Sequence, residues 1–249
     1  MRDLAARADL AVGSVHAVEH GRPAGLETYS ALALGLELGL RLDLVDVRKR
    51  GRTVRAEDPV HAAMGEAIAA RLSSHGFEIA IDEPFQHYQF AGRADILAWD
   101  AQSRALLHVE NRTRFPNVQE AFGSYNTKRR YLPDVVAKRI GFRTGFLSIS
   151  HVVAGLWSAE VLHAIRIHPS SFRAVCPDGS ASFEAWWSGS PPPPGPATSA
   201  FVLFDPNGSN TTKQRRFIAL EQAVATSVRP RYRGYAHAVD ALRANFSAR

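Results

Sequence analysis

Residues 93–113, RADILAWDAQSRALLHVENRT, leave the backbone little choice. Two apolar runs with interspersed polar positions flank the short stretch 101–104, and such runs read as antiparallel strands joined by a tight turn. With the turn there, Asp95 faces Glu110 across the ladder, and the two-residue period puts His108, Glu110 and Arg112 on one face. Opposed carboxylates repel, so they stand either in solvent or around a divalent cation. Mg²⁺ is the natural cation, because it takes carboxylate and phosphate oxygens together with water. Beside a phosphodiester it would polarise the phosphate and acidify its bound water, while a neighbouring cation stabilised the added charge. His108 is expected on the sheet surface rather than as a ligand.

The flanking sequence supplies helices. Asp58-Pro59 gives an N-cap and a first-turn proline, and Val60, Met64, Ile68 and Leu72 then recur at a four-residue interval until Gly76. FEIAID reads as a strand and QHYQF as another. Asn117 caps a helix with Glu120 three places on, and Val118, Phe122 and Tyr125 mark its buried side. GFLSISHVV is a further strand, SAEVLHAI a helix, GSPPPPGP (189–196) a stiff exposed loop and AFVLF an edge strand. The fold class is therefore α/β (α+β), a mixed sheet flanked by helices.

Ahead of it, Leu4, Ala5 and Ala8 form one short apolar face, Asp9-Leu10 a turn, and Val12, Val15 and Val18 a second face. Gly21 and Pro23 stop that helix, and Leu26 to Leu38 supplies a third, ending at Gly39. Four segments are expected: a helix-turn-helix over 1–47, a basic linker over 48–57, the α/β domain over 58–206, and a basic segment with a terminal helix over 207–249.

Thirty Lys and Arg against 24 Asp and Glu give a net charge of +6, and the excess is clustered. RKRGRTVR (48–55) holds five cations, 112–143 holds eight against Glu120 and Asp134, and 213–249 holds eight against Glu221 and Asp240. Such patches suit a polyanion, whose neutralised phosphates release counterions. The single cysteine, Cys176, forms no intramolecular disulfide and no apolar leader opens the chain, so a cytoplasmic location is expected. No apolar stretch is long enough for a membrane span. The ten histidines lack zinc-site spacing, and Ser148 and Ser150 lack the glycines of a nucleophile elbow. Phe183, Trp186 and Trp187 read as core or interface, and Tyr232 and Tyr235, among Arg229, Arg231 and Arg233, as a solvated tail, with stacking on nucleic acid as the alternative.

Asp95, with Glu110-Asn111-Arg112 fifteen positions on, resembles the restriction-endonuclease-like fold and its PD-(D/E)xK signature. The resemblance implies that Asp95 and Glu110 are metal ligands for Mg²⁺. Arg112 then stands where the family carries its catalytic lysine; arginine clamps a phosphate but is effectively never deprotonated, which implies a degenerate or weak site. Glu66 is a further candidate acid on the Asp58 helix, although its place off the apolar stripe suits a solvent-facing residue. LAARADLAVGSVHAVEHGRPAGLETYSALALGLEL resembles the Cro/repressor-type helix-turn-helix, with Leu4, Ala8, Val15 and Val18 at its core positions and Glu19 and Gly21 as its E-x-G ending. By that likeness Val12, Gly13, Ser14, His16 and Ala17 form the recognition face, with His20 and Arg22 near the backbone. The family's first helix is missing, and Val12, Gly13 and Ala17 offer no bidentate donors.

Together, over roughly residues 1–205, the chain is similar to actinobacterial-type proteins that join an Xre-type helix-turn-helix to a nuclease-like domain. In that group the second strand reads like E-x-K-T and the next helix carries a lysine near Lys128; Lys128 and Arg129 are the candidate DNA contacts of the larger domain. The likeness implies a DNA-binding transcriptional regulator acting on double-stranded DNA, with room for a homodimer. Two alternatives stand beside it: a Mg²⁺-dependent DNA endonuclease, and an antitoxin-like interaction module.

Overall fold

A computed structural model describes residues 1–22, 24–37, 58–87, 90–208, 216–225 and 227–247. The expected linker at 48–57 and helix end at Leu38 and Gly39 lie outside the described residues. The chain divides into two compact units, Met1–Arg55 and Ala56–Arg249. Among the described residues no helix is long and apolar enough to cross a membrane.

The first unit holds α1 (Arg2–Arg7), α2 (Val12–Glu19) and α3 (Leu26–Gly35). Ala5, Ala8, Val15 and Leu32 form its core, lined by Leu4, Leu10 and Val18. Asp9 reverses the chain with φ +50°, a conformation that aspartate tolerates better than most residues. Gly35 brings α3 against α1: a Cβ there would lie 2.9 Å from the Ala8 Cβ, so only glycine permits the approach.

In the second unit, α4 (Pro59–Ser73) begins at Asp58, whose carboxylate accepts the Val60 and His61 N–H groups. Six strands follow in sequential spatial order: β1 (Glu78–His87), β2 (Phe90–Asp100), β3 (Ala105–Arg112), β4 (Ser148–Leu156), β5 (Thr198–Phe204) and β6 (Phe217–Ala219). β1, β2 and β3 form an antiparallel meander, β3, β4 and β5 run parallel, and β6 is antiparallel to β5. Parallel neighbours need crossovers. The first is the long helix α5 (Val118–Arg139); the second contains α6 (Ala159–Ile167), α7 (Pro169–Val175) and α8 (Ala181–Trp187). The chain ends in α9 (Leu220–Val224) and α10 (Tyr235–Ser247). The stripe Val60, Met64, Ile68 and Leu72 joins Ile96, Ala98, Leu107 and Val109 in the main core. Leu132 and Val136 of α5 cover Leu97 and Leu106. With helices on both sides, β3 is buried from Ala105 to Asn111.

Four expectations are corrected. QHYQF is not a separate strand: Gln86 and His87 end β1 and Phe90 begins β2, so the strands expected at FEIAID and RADILAWD extend to meet there. AFVLF lies inside the sheet between β4 and β6 rather than at its edge. The segment 207–249 is no appendage, since Ile218, Leu220, Ala223, Tyr232, Ala238 and Leu242 belong to the main core. Strict alternation along the first hairpin also fails. Ala80 and Phe85 both lie in the cluster beneath α5, five residues apart, and so do Ala94 and Leu97, three apart. The slip of one residue falls at Asp82, which has φ +52°, and at Asp95, which continues the register opposite it.

Candidate functional site

The site grows from the α5-facing side of β3, where alternation places His108, Glu110 and Arg112 together as expected. Contrary to expectation, His108 is not on the surface: the crossover helix buries it and Glu110 completely. A buried carboxylate must be paired, and Glu110 has three partners. Its Oε1 accepts from His108 Nε2 at 2.9 Å. Its Oε2 accepts from Lys128 Nζ at 2.5 Å and from Arg112 Nη2 at 3.4 Å. Gly92 leaves room for the Phe85 ring, from which a Cβ there would stand only 3.0 Å. Burial pushes the Glu110 carboxyl upward, but the His108 hydrogen bond and the charges of His108, Lys128 and Arg112 outweigh it and hold the group well below the usual range.

Behind Glu110 the chain of polar contacts continues inward. A hydrogen bond of 3.1 Å joins His108 Nδ1 to His151 Nδ1, and the Tyr125 ring lies 6.0 Å from the His108 ring at 20°. Burial, then the charges of His108 and Arg129, keep His151 neutral far below the ordinary histidine value. Tyr125 in turn reaches Ser199 Oγ at 2.9 Å.

Asp95 has different partners. Its Oδ2 accepts the Asn111 N–H at 2.8 Å and lies 3.5 Å from His61 Nε2 on α4. Burial depresses the His61 imidazole, but the hydrogen bond and charge of Asp95, with Asp58 adding to them, outweigh it and raise its pKa. Asp58 is a hub: besides capping α4 it accepts Thr113 Oγ1 at 3.0 Å and Tyr235 Oη at 2.8 Å. Burial and the Asp58 carboxylate push the Tyr235 hydroxyl up to about 12, so it stays a donor. The Arg114 guanidinium covers the Tyr235 ring at 4.7 Å.

The remaining expected residues separate. Glu66 faces solvent and is not brought to this cluster. Lys128 is buried against Glu110, and Arg129 donates to the Val175 carbonyl at 2.8 Å, so both are engaged internally. In the first unit Val12, Gly13, His16, His20 and Arg22 are exposed, Ser14 and Ala17 half-buried, and Val15 turned inward. His61 and His151 were missed in the sequence, and Asp58 and Tyr235 were read only as a helix cap and a tail residue; the one signal for His61 is its place in the first turn after the Asp58-Pro59 cap.

The donor set does not make a ready cation site. Both Glu110 oxygens carry cationic or imidazole donors, Asp95 is held by a different pair, and among the described residues no group of three or more His, Cys, Asp and Glu side chains is arranged around a common point. What the arrangement does offer is a neutralised acidic centre with Arg112 partly exposed at its mouth. No protein-family model, curated protein or solved structure matches the chain.

Proposed function

We propose that the chain is a DNA-binding protein of the regulator class, whose three-helix unit meets duplex DNA through α2 and whose larger unit is a nuclease-like scaffold with a neutralised acidic site. The observation that carries this reading is the exposed face of α2. Val15 anchors the helix while Val12, Gly13, His16 and His20 present an open surface, with Arg22 just beyond it. A helix held by one face and bare on the other is what major-groove docking requires. Because Val12 and Gly13 have no hydrogen-bonding side-chain groups, phosphate contacts dominate and binding weakens steeply with salt.

The test is a substitution at Gly13, where an added Cβ meets nothing within 4 Å. Gly13→Glu places a carboxylate on the α2 face without a clash, and duplex affinity measured by fluorescence anisotropy is expected to fall at least about tenfold, with Gly13→Arg acting oppositely. Unchanged affinity in both variants would remove α2 from the interface.

A second reading, a Mg²⁺-dependent endonuclease, has Lys128 of α5 supplying near Glu110 the ammonium that β3 lacks, although the same contact occupies an oxygen that a cation would need. Nicking of plasmid DNA with Mg²⁺, lost in Asp95→Ala, is its signature; absence of both nicking and binding leaves an interaction module.

A further inference from the structure

The cations around the end of β3 fall into two groups. Lys128 pairs with Glu110, Arg129 with a backbone carbonyl, and Arg231 with Asp205 at 2.7 Å. Arg114 and Arg233 are exposed, and among the described residues neither forms an ion pair. Both stand where the Asp58–Tyr235 hydrogen bond fastens the start of α10 to the start of α4: Arg114 follows Thr113, which bonds the same carboxylate, and Arg233 lies two residues before Tyr235. Arg112 opens onto solvent at the end of the same strand, with roughly a quarter of its side chain exposed (24%).

We infer that Arg114 and Arg233, with the exposed edge of Arg112, form a contact for the phosphodiester backbone of a nucleic acid on the larger unit itself. The ligand class rests on the nucleic-acid reading above; the site does not depend on α2. Two features support it. Stacking on Tyr235 holds the Arg114 guanidinium in place before any ligand arrives, so little side-chain freedom is lost on contact. The nearby acids are already engaged: Asp58 accepts four hydrogen bonds, and Glu110 is balanced by Lys128. Against it, the Glu160 carboxylate lies beside Gly234, next to Arg233, so a phosphate there meets one anion as well as the arginines. A fork of donors suits phosphate better than an ammonium does.

The experiment uses the full chain with a short mixed-sequence duplex DNA and its single strand, titrated by anisotropy over a salt series. Arg114→Ala with Arg233→Ala is expected to weaken duplex binding about tenfold at low salt and to flatten the log–log salt slope by about two, whereas lysine at both positions retains the slope. The same loss in a Gly13→Glu background separates this contact from α2. Unaltered affinity and slope in the double alanine variant, with tryptophan fluorescence showing a native fold, would overturn the inference while leaving the α2 reading intact. Binding that ignores Gly13→Glu but vanishes in the double variant would do the reverse. Preference for the single strand would assign the site to unpaired backbone, and absence of any nucleic-acid binding by the intact chain would overturn both.

Discussion

Glu110 and Lys128 form the most consequential pair in the larger unit, because both are buried and this is the shortest of the charged contacts that Glu110 makes. Removing one partner of a buried ion pair costs about 3–5 kcal/mol, whereas replacing both with apolar groups of similar size is often neutral. Glu110→Leu and Lys128→Met are therefore each expected to destabilise by about 3 kcal/mol or more, and the double variant by clearly less than their sum. Urea denaturation followed by tryptophan fluorescence checks this, since all four tryptophans, Trp99, Trp157, Trp186 and Trp187, lie in the larger unit. An additive double variant would show that the charges do not interact. At this scale the sequence was partly legible. Alternation correctly put His108, Glu110 and Arg112 side by side, yet a polar residue in an alternating strand reads as solvent-facing. Burial of both faces of β3 comes from the parallel pairing with β4, which no local pattern announces.

Among the elements, α4 was the most legible: the Asp58 cap, Pro59 and the four-residue apolar interval all reappear in its structure. The hairpin of β1 and β2 that follows it was not. The reversal between His87 and Phe90 has no glycine, proline or asparagine to mark it, and Pro84 sits within β1, tolerable only because that strand is at the sheet edge. The slip at Asp82 is invisible to any period-two reading. Asp58 carries more than a cap. Asp58→Ala is expected to cost about 1 kcal/mol for the lost cap and about 1–3 kcal/mol more for the hydroxyls of Thr113 and Tyr235 left without their acceptor. Chemical denaturation of Asp58→Ala beside Tyr235→Phe and Thr113→Val separates these contributions; an effect no larger than that of a surface substitution would show that the hub is not a fastening.

For the whole molecule, the buried His151 leads the response to acid. His151 is held neutral by burial, so below its ordinary value of 6.5 the unfolded chain binds a proton that the folded chain does not, and stability falls as pH drops. Glu110, depressed from 4.5, adds to that loss further into acid. His61 works in the other direction: its raised pKa contributes stability that is present below 6.5 and disappears as pH rises through the folded value. The larger unit is thus expected to melt at lower temperature at pH 5 than at pH 7, and His151→Asn, which keeps a donor but cannot charge, should show a smaller difference. An equal difference in both proteins would place the acid sensitivity elsewhere. The chain divides into the units Met1–Arg55 and Ala56–Arg249. The inclusion of the last forty residues in the main core was not readable from patterning, because their buried members, among them Tyr232, Ala238 and Leu242, are too sparse to form a stripe.

The sheet never inserts a later strand between two earlier ones, since its spatial order is β1-β2-β3-β4-β5-β6. A nascent chain can therefore extend it at one side only, each new strand meeting a partner already in place, and no finished pairing has to be broken during synthesis. The contact from Tyr235 to Asp58 can form only after all six strands have been made, so the start of α4 gains this partner later than its packing on the sheet.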